Sequence, residues 1–95
     1  MKKFIVKPGY HEWNIFLNDT LLWNDGDPTE FLFGEEPYSI EAYVDLCIDS
    51  IKEIMEEEPS YLSFNIESLK KLTASDFDKI KQEYIGSLKK YYGIK

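Results

Sequence analysis

The stretch Ser39 to Glu58, SIEAYVDLCIDSIKEIMEEE, decides the fold because it is the clearest helix in the sequence. At about 100° per residue its apolar side chains fall on one continuous face. That face comprises Ile40, Tyr43, Val44, Cys47, Ile48, Ile51, Ile54 and Met55. The opposite side, which we call the acidic face, comprises Glu41, Asp45, Asp49, Glu53, Glu56 and Glu57, with only Lys52 among them. We expect Ser39 to N-cap this helix and Pro59 to end it.

Short segments with alternating or continuous apolar residues precede this helix. Three of them predict strands: Phe4–Val6, Tyr10–Leu17 and Leu21–Trp23. Pro8-Gly9 has the composition of a type II turn, and Asn18-Asp19-Thr20 supplies a second turn. The first 24 residues therefore predict an antiparallel meander. Phe31-Leu32-Phe33 is expected to form a fourth short strand, ended by Gly34.

Beyond Pro59 the pattern is ambiguous and then becomes helical. A strand over roughly Tyr61 to Glu67 competes with a helix over Asn65 to Leu72, and the pattern leaves both open. A second amphipathic helix is predicted from Ser75 to about Tyr92, with Ser75 and Asp78 as a capping box and Gly93 as C-cap. Its expected buried face comprises Phe77, Ile80, Tyr84, Leu88 and Tyr91. The predicted fold is a single α+β domain over residues 1–95, with an antiparallel sheet of three to five strands and two helices packed on it.

The charge is unevenly distributed along the chain. The net charge is -7 over 95 residues, yet residues 19–58 hold 13 of the 18 acidic residues and only one basic residue, Lys52. Every positive charge is a Lys, and Lys lacks the planar fork with which Arg grips phosphate. This composition argues against direct nucleic-acid binding and favours a basic protein partner.

The sequence contains few residues or motifs that are typical of catalytic or metal-binding sites. His11 is the only His, Cys47 lies on the apolar face, and glycine-rich phosphate loops are absent. Asp25 to Glu36 matches part of a calcium-loop register, but Glu30 stands where that loop needs Gly. We therefore predict no enzyme, no cofactor and no metal site. An active site would require a cleft that joins His11 with carboxylates.

The cellular location of the chain is predicted from the absence of a signal-peptide pattern, a membrane-span pattern and a second Cys in the sequence. Met1 to Val6 starts like a signal peptide, but Lys7-Pro8-Gly9 ends the apolar run after three residues. No run is long enough to cross a membrane. A lone Cys47 suits a reducing compartment. We expect a cytoplasmic protein without membrane contact.

The acidic face is expected to destabilise its helix, because like charges recur at i,i+4 and three Glu lie at the negative C-terminal end of the helix dipole. Such uncompensated features are candidate functional sites. We predict a partner-binding surface formed by the acidic face, the Asp25–Glu36 loop and nearby aromatic residues. Its predicted members are Glu41, Asp45, Asp49, Glu53, Glu56, Glu57, Asp25, Asp27, Glu30, Glu35, Glu36, Trp23 and Phe31.

Three functions fit this surface. In character the chain is similar to immunity proteins that neutralise nuclease toxins, being short, acidic and without catalytic residues; no motif carries the resemblance. It implies an inhibitor that covers a basic active-site cleft. The alternatives are a phage-type decoy that mimics nucleic acid and a structural or adaptor domain, such as a homodimer, whose acids only solubilise it. Abundant Lys, Ile and Asn without Arg are typical of an AT-rich genome, which favours a bacterium or phage.

Overall fold

A computed structural model describes residues 2–57 and 65–94 of the chain. Three strands come first and four helices follow. The strands are β1 (Phe4–Gly9), β2 (Glu12–Leu17) and β3 (Thr20–Gly26), and the helices are α1 (Thr29–Phe33), α2 (Ile40–Glu57), α3 (Ile66–Lys70) and α4 (Ala74–Tyr92). This order of elements confirms the predicted α+β fold.

The strands form the predicted antiparallel meander, in the order β1-β2-β3. Val6 pairs with Ile15, and Ile15 pairs with Trp23, so that one face of the sheet is apolar. The register shifts after Ile15, which leaves Leu22 as an additional residue in β3. This bulge lets two consecutive residues, Leu22 and Trp23, both enter the core at 0% exposure.

The first hairpin turn lies two residues later than the sequence predicts. Pro8 and Gly9 belong to β1, and the turn consists of Tyr10 and His11, with His11 at a φ of 57°. Gly9 instead allows the β1 backbone to lie close to the Asn14 side chain, because a Cβ at position 9 would lie 2.7 Å from Nδ2 of Asn14. Pro8 is tolerated since β1 is an edge strand in the described sheet.

The prediction of a fourth strand at Phe31-Leu32-Phe33 is wrong, because these residues close the short helix α1. Oδ1 of Asp27 accepts hydrogen bonds from the Thr29 N–H at 3.0 Å and from the Thr29 hydroxyl at 2.6 Å, which turns the chain as β3 ends. A helix buries Leu32 and leaves the Phe on either side exposed. Three apolar residues are too few for sequence periodicity to separate helix from strand.

Helix α2 follows the prediction closely. The Ser39 hydroxyl oxygen accepts from the Ala42 N–H at 3.1 Å, as an N-cap does. The predicted apolar face is buried at five positions, and Cys47, Ile54 and Met55 are half-buried. The predicted face is therefore a core face.

Of the two alternatives after Pro59, the described residues contain the helical one. Asn65 caps α3 by accepting from the Ser68 N–H, and its own N–H donates to the carbonyl of Leu22 in β3. The first part of the alternative strand, residues 61–64, lies outside the described residues, as does Pro59, which the sequence predicts to end the helix.

The capping box of α4 is formed by Thr73 and Asp76, not by Ser75 and Asp78. The Thr73 hydroxyl accepts from the Asp76 N–H at 3.1 Å, and the Asp76 carboxylate accepts from the Thr73 N–H at 2.9 Å. Lys2 adds an ion pair to Asp76 at 2.7 Å, so this helix start is tied to the N-terminus. Gly93 ends α4 at a φ of 68°, as predicted.

The core lies between one face of the sheet and a layer formed by α4 and α2. Helix α4 packs beside β1, and α2 runs antiparallel to α4, with Lys81 opposite Asp45 and Lys89 opposite Glu41. The expected buried face of α4 is correct except at Tyr91, which is 59% exposed. In the described ranges, no helix is long and apolar enough to span a bilayer.

Candidate protein-contact surface

Eight aromatic rings form a continuous chain of contacts, which we call the aromatic string. It starts at Tyr38, which follows helix α1, ends at Phe33 in α1, and passes through the core between these ends. Successive ring centroids lie 5.0–6.3 Å apart. In order, its members are Tyr38, Phe31, Tyr43, Tyr84, Trp13, Tyr91, Tyr92 and Phe33. Edge-to-face and tilted contacts of this kind add stability beyond apolar burial.

The centre of the string is buried and hydrogen-bonded to a carboxylate. The Tyr84 hydroxyl donates to Oδ2 of Asp25 at 2.9 Å, and the Trp23 indole N–H donates to Oδ1 at 3.1 Å. Burial raises the pKa of Asp25 despite these two donors. Burial also raises the pKa of Tyr84 and of Tyr43. This cluster fixes the middle rings in place.

Cys47 belongs to the same cluster, on the side of α2. Its thiol is free and half-buried, and burial raises the pKa of Cys47 to about 12. The nearby Asp25 carboxylate acts in the same direction. A thiol held in its protonated form is a poor nucleophile, so Cys47 serves packing.

The two ends of the string are open to solvent. Exposed fractions are 43% for Phe31, 54% for Phe33, 45% for Tyr38 and 59% for Tyr91. Tyr10, in the β1–β2 turn, is 88% exposed and stacks edge-on against His11 at 4.2 Å. We call these five exposed side chains the aromatic end. Phe31 and Tyr91 contact the buried rings of Tyr43 and Trp13, and Phe33 contacts the partly buried ring of Tyr92. Because these contacts hold them in place, the three exposed rings lose little freedom when a partner covers them.

Acidic side chains accompany the aromatic end. Asp27, Glu30, Glu35 and Glu36 are all exposed on or beside α1. These residues and Phe31 are the predicted site members that the structure brings together. By contrast, Trp23 is fully buried. Asp25 points inward and accepts hydrogen bonds from Trp23 and Tyr84. The structure therefore removes Trp23 and Asp25 from the predicted contact surface.

The acidic face of α2 is partly neutralised by the neighbouring helix. Lys81 pairs with Asp45 at 2.7 Å, and Lys89 lies 3.5 Å from Glu41. Asp45 raises the pKa of Lys81, with smaller contributions from Asp78 and Asp49. The predicted members Asp49, Glu53, Glu56 and Glu57 are exposed, and no ion pair to them is found within residues 2–57 and 65–94. The expectation that the whole face lacks compensation is therefore wrong at Glu41 and Asp45.

His11 lines a cleft of about 310 Å³ together with Glu12 and Asp27, the kind of arrangement that an active site would require. Hydrogen bonds from Thr29 lower the pKa of Asp27, with a smaller contribution from His11. Across the described part of the chain, however, the His11 ring has no hydrogen bond or ion pair to a carboxylate. Residues 2–57 and 65–94 also contain no group of three His, Cys, Asp or Glu side chains placed to hold a metal ion.

Tyr10, Tyr38 and Tyr91 are surface residues that the sequence reasoning missed. Tyr91 continues the apolar spacing of α4, so periodicity assigned it to the core, but it lies in the last turn of the helix. The count of seven Tyr in 95 residues was the available signal, because so many rings exceed what a small core can enclose. Phe16 is half-buried on the other face of the sheet, under the Lys7 ammonium group.

No family model, curated protein or solved structure significantly matches this chain.

Proposed function

We propose that this chain is a small acidic binding protein that docks on one basic protein through its aromatic end and blocks the positively charged surface of that partner. The observation that carries the proposal is the exposure of five large aromatic side chains beside exposed acids. Interfaces concentrate their binding energy in a few aromatic anchors surrounded by a polar rim. Here Phe33 and Tyr91 are the central anchors, and Glu30, Glu35 and Glu36 form the rim.

The negative rim supports a partner of positive charge. The chain carries a net charge of -7, so long-range attraction would speed its encounter with a basic surface. Inhibition follows if that basic surface is an active-site or nucleic-acid-binding cleft, as for an immunity protein that neutralises a nuclease-type toxin. The proposed role is non-catalytic, because the acids and rings supply contact area and charge without an assembled acid–base pair.

A decoy that mimics nucleic acid receives less support. Such a decoy needs a regular array of unpaired carboxylates, and two members of the acidic face are already paired with Lys81 and Lys89. Exposed aromatic side chains also do not imitate phosphates. The adaptor alternative, in which the aromatic end joins two copies of the chain, is distinguished by the experiment below.

The test is capture of a partner with tagged protein, followed by reconstitution of the purified pair and measurement of Kd. The ring variant is Phe33→Ala with Tyr91→Ala. The rim variant changes Glu30, Glu35 and Glu36 to Gln. The matched control removes the same number of charges from α2, where no aromatic anchor lies beside them: Asp49 is changed to Asn, and Glu53 and Glu56 are changed to Gln.

We expect a 1:1 complex with a basic protein, whose Kd rises about tenfold or more in the ring variant. The rim variant should slow association and weaken its salt dependence, and the control should bind nearly as wild type. Binding that is unchanged in the ring variant would contradict the proposal. So would self-association as the sole complex, since that result identifies an adaptor; competition by DNA for several unrelated binders would identify a decoy.

A further inference from the structure

The cleft beside the aromatic end has a composition suited to one kind of ligand. It lies between the β1–β2 turn, the start of α1 and the C-terminal end of α4, and its volume is about 310 Å³. This volume is at the lower limit of ordinary ligand sites. The cleft therefore has room for one side chain or a small molecule.

Aromatic rings supply much of the wall. Tyr91 meets Trp13 at an interplanar angle of 83° and a centroid separation of 5.3 Å. Tyr92 meets Tyr91 at 82° and 5.0 Å. The ring planes are thus nearly perpendicular to one another, so their faces point in different directions around the cleft. The electron-rich face of a tyrosine attracts a cation placed over it.

The charge of the lining is negative. Glu12 and Asp27 line the cleft, and no Lys is among its described lining residues. Asp27 is held in place by both hydrogen bonds from Thr29, which also lower its pKa. Glu12 is held by the Asn24 side-chain amide at 3.2 Å. Fixed carboxylates beside aromatic faces are suited to a cation.

The His11 backbone contributes to the shape of this cleft. Its φ of 57° is uncommon for a residue other than Gly. This conformation places the His11 side chain in the lining of the cleft and against the ring of Tyr10. The turn is therefore part of the wall.

We propose that this cleft binds an arginine side chain of the partner, with the guanidinium group stacked on a tyrosine face and hydrogen-bonded to Asp27. The inference rests on the proposed function, because it names the part of the basic partner that enters the cleft. Arg fits better than Lys because its planar guanidinium stacks on a ring while its N–H groups donate to a carboxylate. Both hydrogen bonds from Thr29 go to Oδ1 of Asp27, so the guanidinium donates to Oδ2.

The test uses the full chain and a small probe, so it needs no partner protein. Amide NMR spectra are followed while N-acetyl-arginine-N′-methylamide is added, and the citrulline analogue serves as the neutral probe of the same shape. We expect saturable shifts at His11, Asp27 and Thr29 with the arginine probe, a Kd on the order of millimolar for so small a ligand, and none with citrulline. Asp27→Asn should weaken binding at least about threefold, since Asn can keep the Thr29 hydrogen bonds but loses the charge. Glu83→Gln, an exposed change on α4 outside the cleft, is the control.

The absence of saturable shifts at these residues, or equal shifts with citrulline, would overturn the inference. These outcomes are separable from a failure of the proposed function. Saturable arginine binding without a 1:1 basic partner would leave the cleft as a cation site and reject the inhibitor. A partner lost in the ring variant but no arginine binding would keep the inhibitor and reject the cleft.

Discussion

The acidic face of α2 and the aromatic end carry similar charge but differ in what surrounds it. On α2, Asp45 and Glu41 meet Lys81 and Lys89 of the antiparallel helix α4. Around α1, exposed acids lie beside exposed rings that the core holds in place. A row of like charges in a sequence can thus be compensated by another segment after folding. Exposed rings that are held by buried neighbours are the better indication of a contact surface.

The largest expected effect separates the buried and exposed parts of the aromatic string. Tyr84→Ala should lower the free energy of unfolding by about 3–5 kcal/mol, because it empties a fully buried site and removes a donor to Asp25. Tyr91→Ala should cost under about 1 kcal/mol, since Tyr91 is 59% exposed. Urea unfolding of both variants measures the difference. Similar losses would mean that Tyr91 serves the core and not a partner.

The next comparison concerns two carboxylates whose pKa values move in opposite directions. The pKa of Asp25 is raised from its ordinary value of 3.8 by burial, so its stabilising contribution is present below that value and lost as pH rises through the folded-state pKa. The pKa of Asp76 is lowered by Lys2 and Thr73, so its contribution is present above 3.8 and lost as pH falls through the folded-state pKa.

Asp25→Asn and Asp76→Asn should therefore change the pH profile of unfolding in opposite directions. The Asp25 variant should lose the decline in stability that accompanies ionisation of the buried carboxyl group, because Asn does not titrate. The Asp76 variant should be weakened at neutral pH and should match wild type in acid. Unfolding by urea from strongly acidic to neutral pH measures both profiles. Parallel profiles would contradict the assigned hydrogen bonds.

A smaller effect distinguishes two positions on the acidic face. Glu53→Lys should stabilise the free protein by about 0.2–0.5 kcal/mol per like-charge pair removed, because Asp49 and Glu57 lie one turn away. Asp45→Lys should stabilise it less than Glu53→Lys does. Glu41 and Asp49 also lie one turn away, but the change removes the pair with Lys81 and places a Lys opposite it. The two melting temperatures, recorded at low salt, measure the difference. Equal stabilisation by both changes would show that the Lys81 pair contributes nothing in solution.

The smallest effect is the response to salt. Screening between low and physiological ionic strength should raise the melting temperature only slightly, because repulsion at Asp49, Glu53, Glu56 and Glu57 is relieved while the Lys81 and Lys89 pairs are weakened. Lys81→Gln, which leaves Asp45 unpaired, should make the rise larger. A large rise in the wild type would mean that the described ion pairs do not form.

Sequence patterns predicted the parts of the fold that depend on near neighbours. The periodicity of α2, the Ser39 cap, the two hairpins and the Gly93 cap all arise from residues a few positions apart. The failures are of two kinds. The bulge at Leu22 depends on a core that accepts two consecutive side chains. The helix at Thr29–Phe33, the β1–β2 turn and the capping box of α4 depend on near neighbours, but the sequence offered two local alternatives at each place and only the folded chain selects one.

In the predicted contact surface, too, local composition was informative and contacts between distant segments were not. Composition correctly indicated exposed acids at Asp27, Glu30, Glu35 and Glu36, because charged side chains rarely enter a core. It could not show that Asp25, in the same loop, turns inward to Tyr84, which lies 59 positions away. Nor could it show that Tyr91 and Tyr92 come to the turn at Tyr10 and His11, since that contact depends on how α4 crosses the sheet.

The position of Pro8 in the edge strand β1 affects how copies of the chain meet at high concentration. An exposed strand edge offers backbone groups with which another chain can pair and extend a sheet. Proline has no N–H to offer, and the exposed Lys7 beside it brings charge to the same edge. At the opposite edge of the sheet, the carbonyl of Leu22 is already bonded to the Asn65 N–H. Replacing Pro8 by Val would restore the missing N–H donor at this edge. We then expect β1 to pair more readily with β1 of another copy, which is the first step of fibril formation.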